Sequence, residues 1–415
     1  MEKLKRAVGN YVTGDKFWDR EEDIKLFTEL LDEGAHILMA APRRIGKTSL
    51  MRETAERLKD KYYCLHVDLQ KAESPADAVT ELSKATHPYK KLWLRTREVF
   101  KNILEGVKEN IENLSIEDLT VTLRFGLTAG DWQIKGDQLF STLAETDKPV
   151  VIFFDEFPIL INRLLKGNEF LMTPERRQIT DAFMSWVRDN SIRHKEKIRM
   201  VITGSIGIEP ALRQADLSAT LNTFTPFTLL PWTDEAAKGC LEALSNQYEI
   251  PFQPEAISLI IEKLRYLIPH HVQLFFDNVY EDWRRRKYPK VTPEHIEQVY
   301  SAQMLSIKGH AELSHMEERL KIVFGLEIYA LALEILTETA VKGYLDSEAA
   351  IAICRGTEES GRDPKVTLRG ILEILQHDGY LEQDEDRFIF ISRLLRDWWK
   401  RRFSFGYTPV LERRA

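Results

Sequence analysis

The feature that most constrains this chain is the stretch Ala40-Ala41-Pro42-Arg43-Arg44-Ile45-Gly46-Lys47-Thr48-Ser49. Before it, Ile37-Leu38-Met39-Ala40 reads as a short buried strand. After it, Leu50, Met51, Ala55 and Leu58 recur at the spacing of one helix face. A strand, a tight loop closing on Gly-Lys-Thr, and a helix make a P-loop. In that arrangement the segment Pro42, Arg43, Arg44, Ile45, Gly46, Lys47, Thr48 and Ser49 wraps a polyphosphate with backbone N–H groups and a helix N-terminus. Lys47 reaches the β/γ oxygens and the Thr48 hydroxyl ligates Mg²⁺. Against the pattern G-x-x-x-x-G-K-[ST], Ala41 stands where the first Gly belongs, a place where a missing Cβ lets the chain turn. The strand and helix on either side argue for a functional loop over a chance Gly-Lys-Thr at a helix start.

A second signal lies about a hundred residues on. Val150-Val151-Ile152-Phe153-Phe154-Asp155-Glu156-Phe157 is an apolar strand ending in adjacent carboxylates. After a P-loop this reads as Walker B, with Asp155 holding Mg²⁺ and Glu156 polarising the attacking water. The plainer reading is a strand end capped by solvated acids. A further strand, Ile198 to Ile202, closes on Thr203-Gly204-Ser205, where Ser205 is expected to sense the γ-phosphate; a simple Gly-Ser turn is the rival. Phe227-Thr228-Leu229-Leu230-Pro231 reads as a last short strand. Repeated strand–helix units after a P-loop predict an α/β fold, a P-loop NTPase with a parallel sheet flanked by helices. That domain is placed at residues 1–231, with an insertion at about 74–135. Inside the insertion, Leu119, Val121, Leu123 and Phe125 alternate with polar residues, predicting a hairpin that returns through Leu127 to Ile134. Ahead of the P-loop, Asp19 is expected to cap a helix through Ile24, Phe27, Leu30 and Leu31.

At 415 residues the chain needs two or three domains. From Thr233 it turns helical: residues 232–305 read as a helical lid, and residues 306–415 as a winged helix with a basic tail. Three dispersed cysteines, Cys64, Cys240 and Cys354, point to a reducing compartment and away from zinc or disulfides. A cytoplasmic protein is expected, with no signal peptide and no membrane partner. With a net charge of −7, no global basic field recruits nucleic acid. Arg284-Arg285-Arg286-Lys287 ends a helix, where basic residues complement the dipole. The expected wing tip, Glu382 through Asp386, is acidic where a DNA-binding wing would meet phosphates. A winged helix that contacts protein is therefore expected.

The order of motifs resembles the archaeal-type ATPases of the STAND branch of AAA+-related P-loop NTPases, over about Tyr11 to Phe403. The resemblance rests on Phe17-Trp18-Asp19-Arg20-Glu21, Pro42 through Leu50, Phe154-Asp155-Glu156-Phe157 and Thr203-Gly204-Ser205. It extends to Ile268-Pro269 and to Ser392 through Trp399. The double Arg before Ile-Gly-Lys-Thr is its most specific part. The resemblance implies ATP and Mg²⁺ as cofactors. It sets Arg20 with its aromatic neighbour Phe17 near the adenine, and Pro269 in a lid contact with the nucleotide. Catalytic roles fall to Glu156, Lys47 and Ser205, and metal ligation to Thr48 and Asp155. Arg213 follows the sensor strand and is either an arginine finger toward a neighbouring subunit or an ordinary surface residue.

The expected function is an ATP-binding, slowly hydrolysing switch that couples nucleotide state to the lid, the winged helix and a protein partner or self-assembly, in a defence or stress setting. The alternatives are a DNA-acting AAA+-like ATPase of the replication-initiator or transposition-regulator type, and a nucleotide-binding scaffold without turnover.

Overall fold

The computed structural model describes residues 4–7, 11–105, 115–127, 130–167, 169–204, 207–355 and 363–413. The chain forms two compact units. One comprises Arg20–Ala40 and Leu50–Leu229; the other comprises Met1–Asp19, Ala41–Ser49 and Leu230–Ala415.

The first unit is built on a five-stranded sheet. Its elements in chain order are α1 (Glu21–Asp32), β1 (His36–Ala40), α2 (Lys47–Leu58, here from Leu50), β2 (Tyr63–Asp68), α3 (Pro75–Ala85), α4 (Lys90–Val99), α5 (Lys101–Glu105), α6 (Ile116–Gly126) and α7 (Asp131–Ala144). After them come β3 (Val150–Asp155), α8 (Phe157–Lys166), α9 (Pro174–Arg193), β4 (Ile198–Gly204), α10 (Ile208–Gln214) and β5 (Phe224–Pro226). The strand order is β2-β3-β4-β1-β5, and every pairing is parallel. Parallel strands covered on both faces need apolar side chains at every position, not at alternate ones. Val150, Val151, Ile152 and Phe153 of β3 are accordingly all fully buried. Each such side chain stabilises the unit by roughly 1.5–3 kcal/mol as an upper estimate.

Three expectations are corrected here. Residues 119–134 are not a hairpin: α6 and α7 cover them, apart from the linker. Leu119, Thr122 and Leu123 are buried at i, i+3, i+4 spacing, while Val121 and Phe125 are exposed. The Ser115 hydroxyl caps α6 by accepting from the Asp118 N–H. The helix period won because apolar residues two apart cannot all face one neighbour on a helix, and here they do not. The last strand is β5 at Phe224–Pro226, just ahead of the expected Phe227–Pro231. Phe227 only extends the ladder by one bond, its N–H donating to the Leu38 carbonyl at 2.9 Å. Finally, Asp19 does not cap α1. The N-cap is Arg20, left-handed at φ 86, with no side-chain cap.

The second unit begins with α11 (Asp234–Gln247), α12 (Pro254–Leu264), α13 (Pro269–Arg286) and α14 (Pro293–Val299), followed by a π-helical turn, Tyr300–Met304. Next are α15 (Ile307–Lys342), kinked at Gly325 where φ is 71 and ψ 174, then α16 (Ser347–Cys354) and α17 (Pro364–His377). An antiparallel pair, β6 (Leu381–Asp384) and β7 (Arg387–Phe390), precedes α18 (Arg393–Phe403). Thr233 caps α11 through its hydroxyl, and Pro254, Pro269 and Pro293 each open a helix at a position that needs no N–H donor. Trp398 and Trp399 of α18 are buried in the same apolar cluster as Tyr380, Phe390 and Leu345.

Candidate functional site

The parallel register brings the strand ends level. Ala40 lies opposite Gly204, and Asp68 opposite Asp155. Loops leaving the carboxyl ends of β1, β3 and β4 therefore start from one sheet edge, the place where open α/β sheets bind ligands.

At that edge Asp155 is held by two donors on one oxygen. The Thr203 hydroxyl donates to Asp155 Oδ1 at 2.7 Å, and the Glu156 N–H donates to the same oxygen at 3.1 Å. Thr203 is fully buried, so this donor is fixed by its surroundings. Glu156 follows in a left-handed conformation, φ 55 and ψ 30, as the N-cap of α8. A non-glycine residue there costs about 1–2 kcal/mol and persists only where neighbours enforce it. The enforcing contact is visible. A Cβ placed on Gly204 would come within 2.3 Å of the Pro158 ring, so only glycine lets the start of α8 sit this close to the end of β4. Thr203 belongs to the Thr203-Gly204-Ser205 segment expected at the end of this strand; its bond to Asp155 is what the sequence did not disclose. Ser205 lies outside the described residues.

The loop after β1 belongs to the second unit. Lys47 is buried, and its Nζ donates to the carbonyls of Ala41 at 2.6 Å and Pro42 at 3.0 Å. The amine thus folds across the loop's own concavity. The left-handed residues are Arg44 (φ 67) and Gly46 (φ 106); Ala41 is not among them. Alanine at the first position therefore carries no backbone strain from a positive φ. Ile45 is fully buried and anchors the loop, whereas Thr48 is half-buried at the second position of α2. Ser49 Oγ accepts the Val12 N–H at 3.0 Å, tying the N-terminal segment to the loop. Pro42 packs against Gly379, the left-handed residue (φ +79) before β6: a Cβ there would lie 2.9 Å from Pro42 Cγ.

The remaining expected residues are distributed. In the first unit Arg20 is buried and pairs with Asp23 at 3.0 Å. In the second unit Phe17 is half-buried, next to Trp18, whose indole N–H donates to the Ala236 carbonyl at 3.0 Å. Pro269 is the first residue of α13. Arg213 is exposed on α10. Arg285 and Arg286 pair with Glu281 and Asp282 on their own helix, and Arg284 donates to the Tyr280 hydroxyl. On β2, burial and then the charge of Arg52 push the His66 imidazole down to about 4, and the ring stacks on Phe153.

Part of the chain matches a known family. Residues 17–221 match the family described as an ATPase domain predominantly from Archaea. No protein of curated function matches the chain. Among solved structures, the Walker-type ATPase PABY2304 of Pyrococcus abyssi is similar with a TM-score of 0.62 and 16% identity. The likeness covers 95% of this chain and 99% of that one. The ORC2 protein of Aeropyrum pernix, solved as ADPNP–ADP complexes, follows with a TM-score of 0.51 and 12% identity, covering 92% and 91%. At these identities the likeness is one of fold.

Proposed function

We propose that this chain, whose residues 17–221 match a family described as an ATPase domain predominantly from Archaea, is a slow ATP-driven switch of the STAND kind. The single observation that carries the reading is the Asp155–Thr203 pair at the sheet edge beside Glu156, on β3 and on β4, the latter paired with the strand that feeds Gly46-Lys47-Thr48. In this proposal Lys47 exchanges its loop carbonyls for phosphate oxygens when ATP binds. Ile45 and Gly46 shape the loop so that backbone N–H groups face the phosphates, with Arg43 and Arg44 beside them. The hydroxyl of Thr48 and the carboxylate of Asp155 are hard oxygen donors, suited to Mg²⁺, which would neutralise charge on the transferring phosphoryl group. Glu156 orients and polarises the attacking water, and Thr203 keeps Asp155 in one rotamer. Ser205, Arg20, Phe17 and Pro269 are assigned nucleotide contacts in the same proposal.

Residues 232–305 then act as the lid, and residues 306–415 as a winged helix that meets a protein partner or a second copy. Slow turnover is part of the same proposal. The test pairs two variants. Glu156→Gln is expected to keep ATP binding and lose phosphate release; Lys47→Ala is expected to lose both. Unchanged turnover in Glu156→Gln would refute the assignment of the base.

A further inference from the structure

Within the second unit, α12 and the β6–α18 segment exchange charges reciprocally. Arg265 donates to Glu382 of β6 at 3.0 Å, and Arg393 at the start of α18 donates to Glu262 of α12 at 2.7 Å. Each partner thus contributes one cation and one anion. Arg265, at φ 58, is the residue that ends α12. A recess of about 500 Å³, lined by Ile261, Phe390 and Arg396 among others, opens beside both pairs. Water and ions reach them there.

The position of these pairs along the chain is what gives them a consequence. Arg265 stands four residues before Pro269, which opens α13; Glu382 stands three residues after Gly379, which presses on Pro42 of the P-loop. Between Gly379 and Glu382 the chain is rigid: Tyr380 is buried, its hydroxyl donating to the Met316 carbonyl at 2.6 Å, and Leu381 is paired in β6. A displacement of Glu382 is therefore passed to the turn on the loop.

We propose that the Arg265–Glu382 and Arg393–Glu262 pairs form a salt-sensitive clasp that holds the Gly379 turn on the P-loop and so gates nucleotide release. This rests on the ATP-switch reading. Ion pairs as exposed as these are individually weak and screened by salt, which suits a latch that opens and recloses. Neither pair includes a residue assigned to binding or catalysis.

The full-length chain is compared with Arg265→Glu, Glu382→Arg, the double exchange, and Glu262→Gln as a milder second variant. Hydrogen exchange of residues 378–391 reads the clasp, and release of a fluorescent ADP analogue reads the gate. Each single reversal is expected to speed both by about fivefold or more, and Glu262→Gln by about two- to threefold, with the double exchange returning to near the parent rate. Raising salt from about 50 to about 500 mM should speed both in the parent. Single reversals that match the parent, or a double exchange as fast as the singles, overturn the clasp. Faster hydrogen exchange with unchanged nucleotide release overturns the gate. A parent that binds no nucleotide overturns the switch reading instead, while the hydrogen-exchange arm still decides whether the clasp exists.

Discussion

At Asp155 two donors converge on one carboxylate oxygen, and one of them, Thr203, is a fully buried side chain. Thr203→Val keeps shape and burial but removes the donor. It is expected to lower melting stability by about 1–3 kcal/mol and turnover by roughly tenfold or more, with ATP affinity nearly unchanged; thermal unfolding and steady-state kinetics measure the two. Ala41 is a residue-scale case of the opposite kind. Because it does not need a positive φ, Ala41→Gly gains nothing in the folded loop and enlarges the unfolded ensemble. It should cost about 0.4–1 kcal/mol by urea unfolding and leave nucleotide affinity as it was. The motif pattern alone marked Ala41 as a departure; only its backbone angle shows that the departure is harmless.

Helix α8 owes its position to the absence of one methyl group. Gly204→Ala drives a Cβ into the Pro158 ring, which cannot rotate away, so α8 and with it Glu156 must shift. The expected cost is about 1–3 kcal/mol in urea unfolding, with a fall in turnover larger than the fall in nucleotide binding. Two histidines on β1 and β2 contribute to the pH response. Burial lowers His36, whose Nδ1 accepts the Met200 N–H and whose Nε2 faces the Ser191 carbonyl, and it lowers His66 to about 4. An unfolded imidazole takes its proton near 6.5, so between about 4 and 6.5 the unfolded chain binds more protons than the folded one. Stability therefore rises with pH through that window and is lost as pH falls through it, by at most about 3 kcal/mol for His66. Urea midpoints at pH 7 and pH 5 should show the loss, and His66→Phe should remove much of it.

For the molecule as a whole, the net charge of −7 and the local pairing of Arg285 and Arg286 leave little to attract a polyanion. No shift of duplex DNA is expected in a gel at about 50 mM salt, and a shift that weakens steeply with added salt would instead favour a DNA-acting enzyme. The strand, loop and helix around Gly46-Lys47-Thr48, the apolar strand ending at Asp155 and the strand that runs through Ile198 to Ile202 were all legible in the sequence. Each depends on residues adjacent in the chain, where apolar runs, Gly-Lys-Thr and N-cap residues act over one turn or one strand. Short apolar alternation was not enough for residues 119–134, because the same spacing serves a hairpin or a helix until a neighbouring surface selects one face. Nor could the chain order disclose that Thr203 meets Asp155, that Gly204 admits Pro158, that Gly379 meets Pro42, or that Glu262 and Arg265 face Arg393 and Glu382. Those contacts join positions from about 50 to more than 300 residues apart, and packing alone brings them within reach. The sequence by itself determined a P-loop ATPase, since phosphate chemistry is written in contiguous residues; how its carboxylates are aimed and its loop is held was decided only by the tertiary structure, through close approach of distant backbone and side chains.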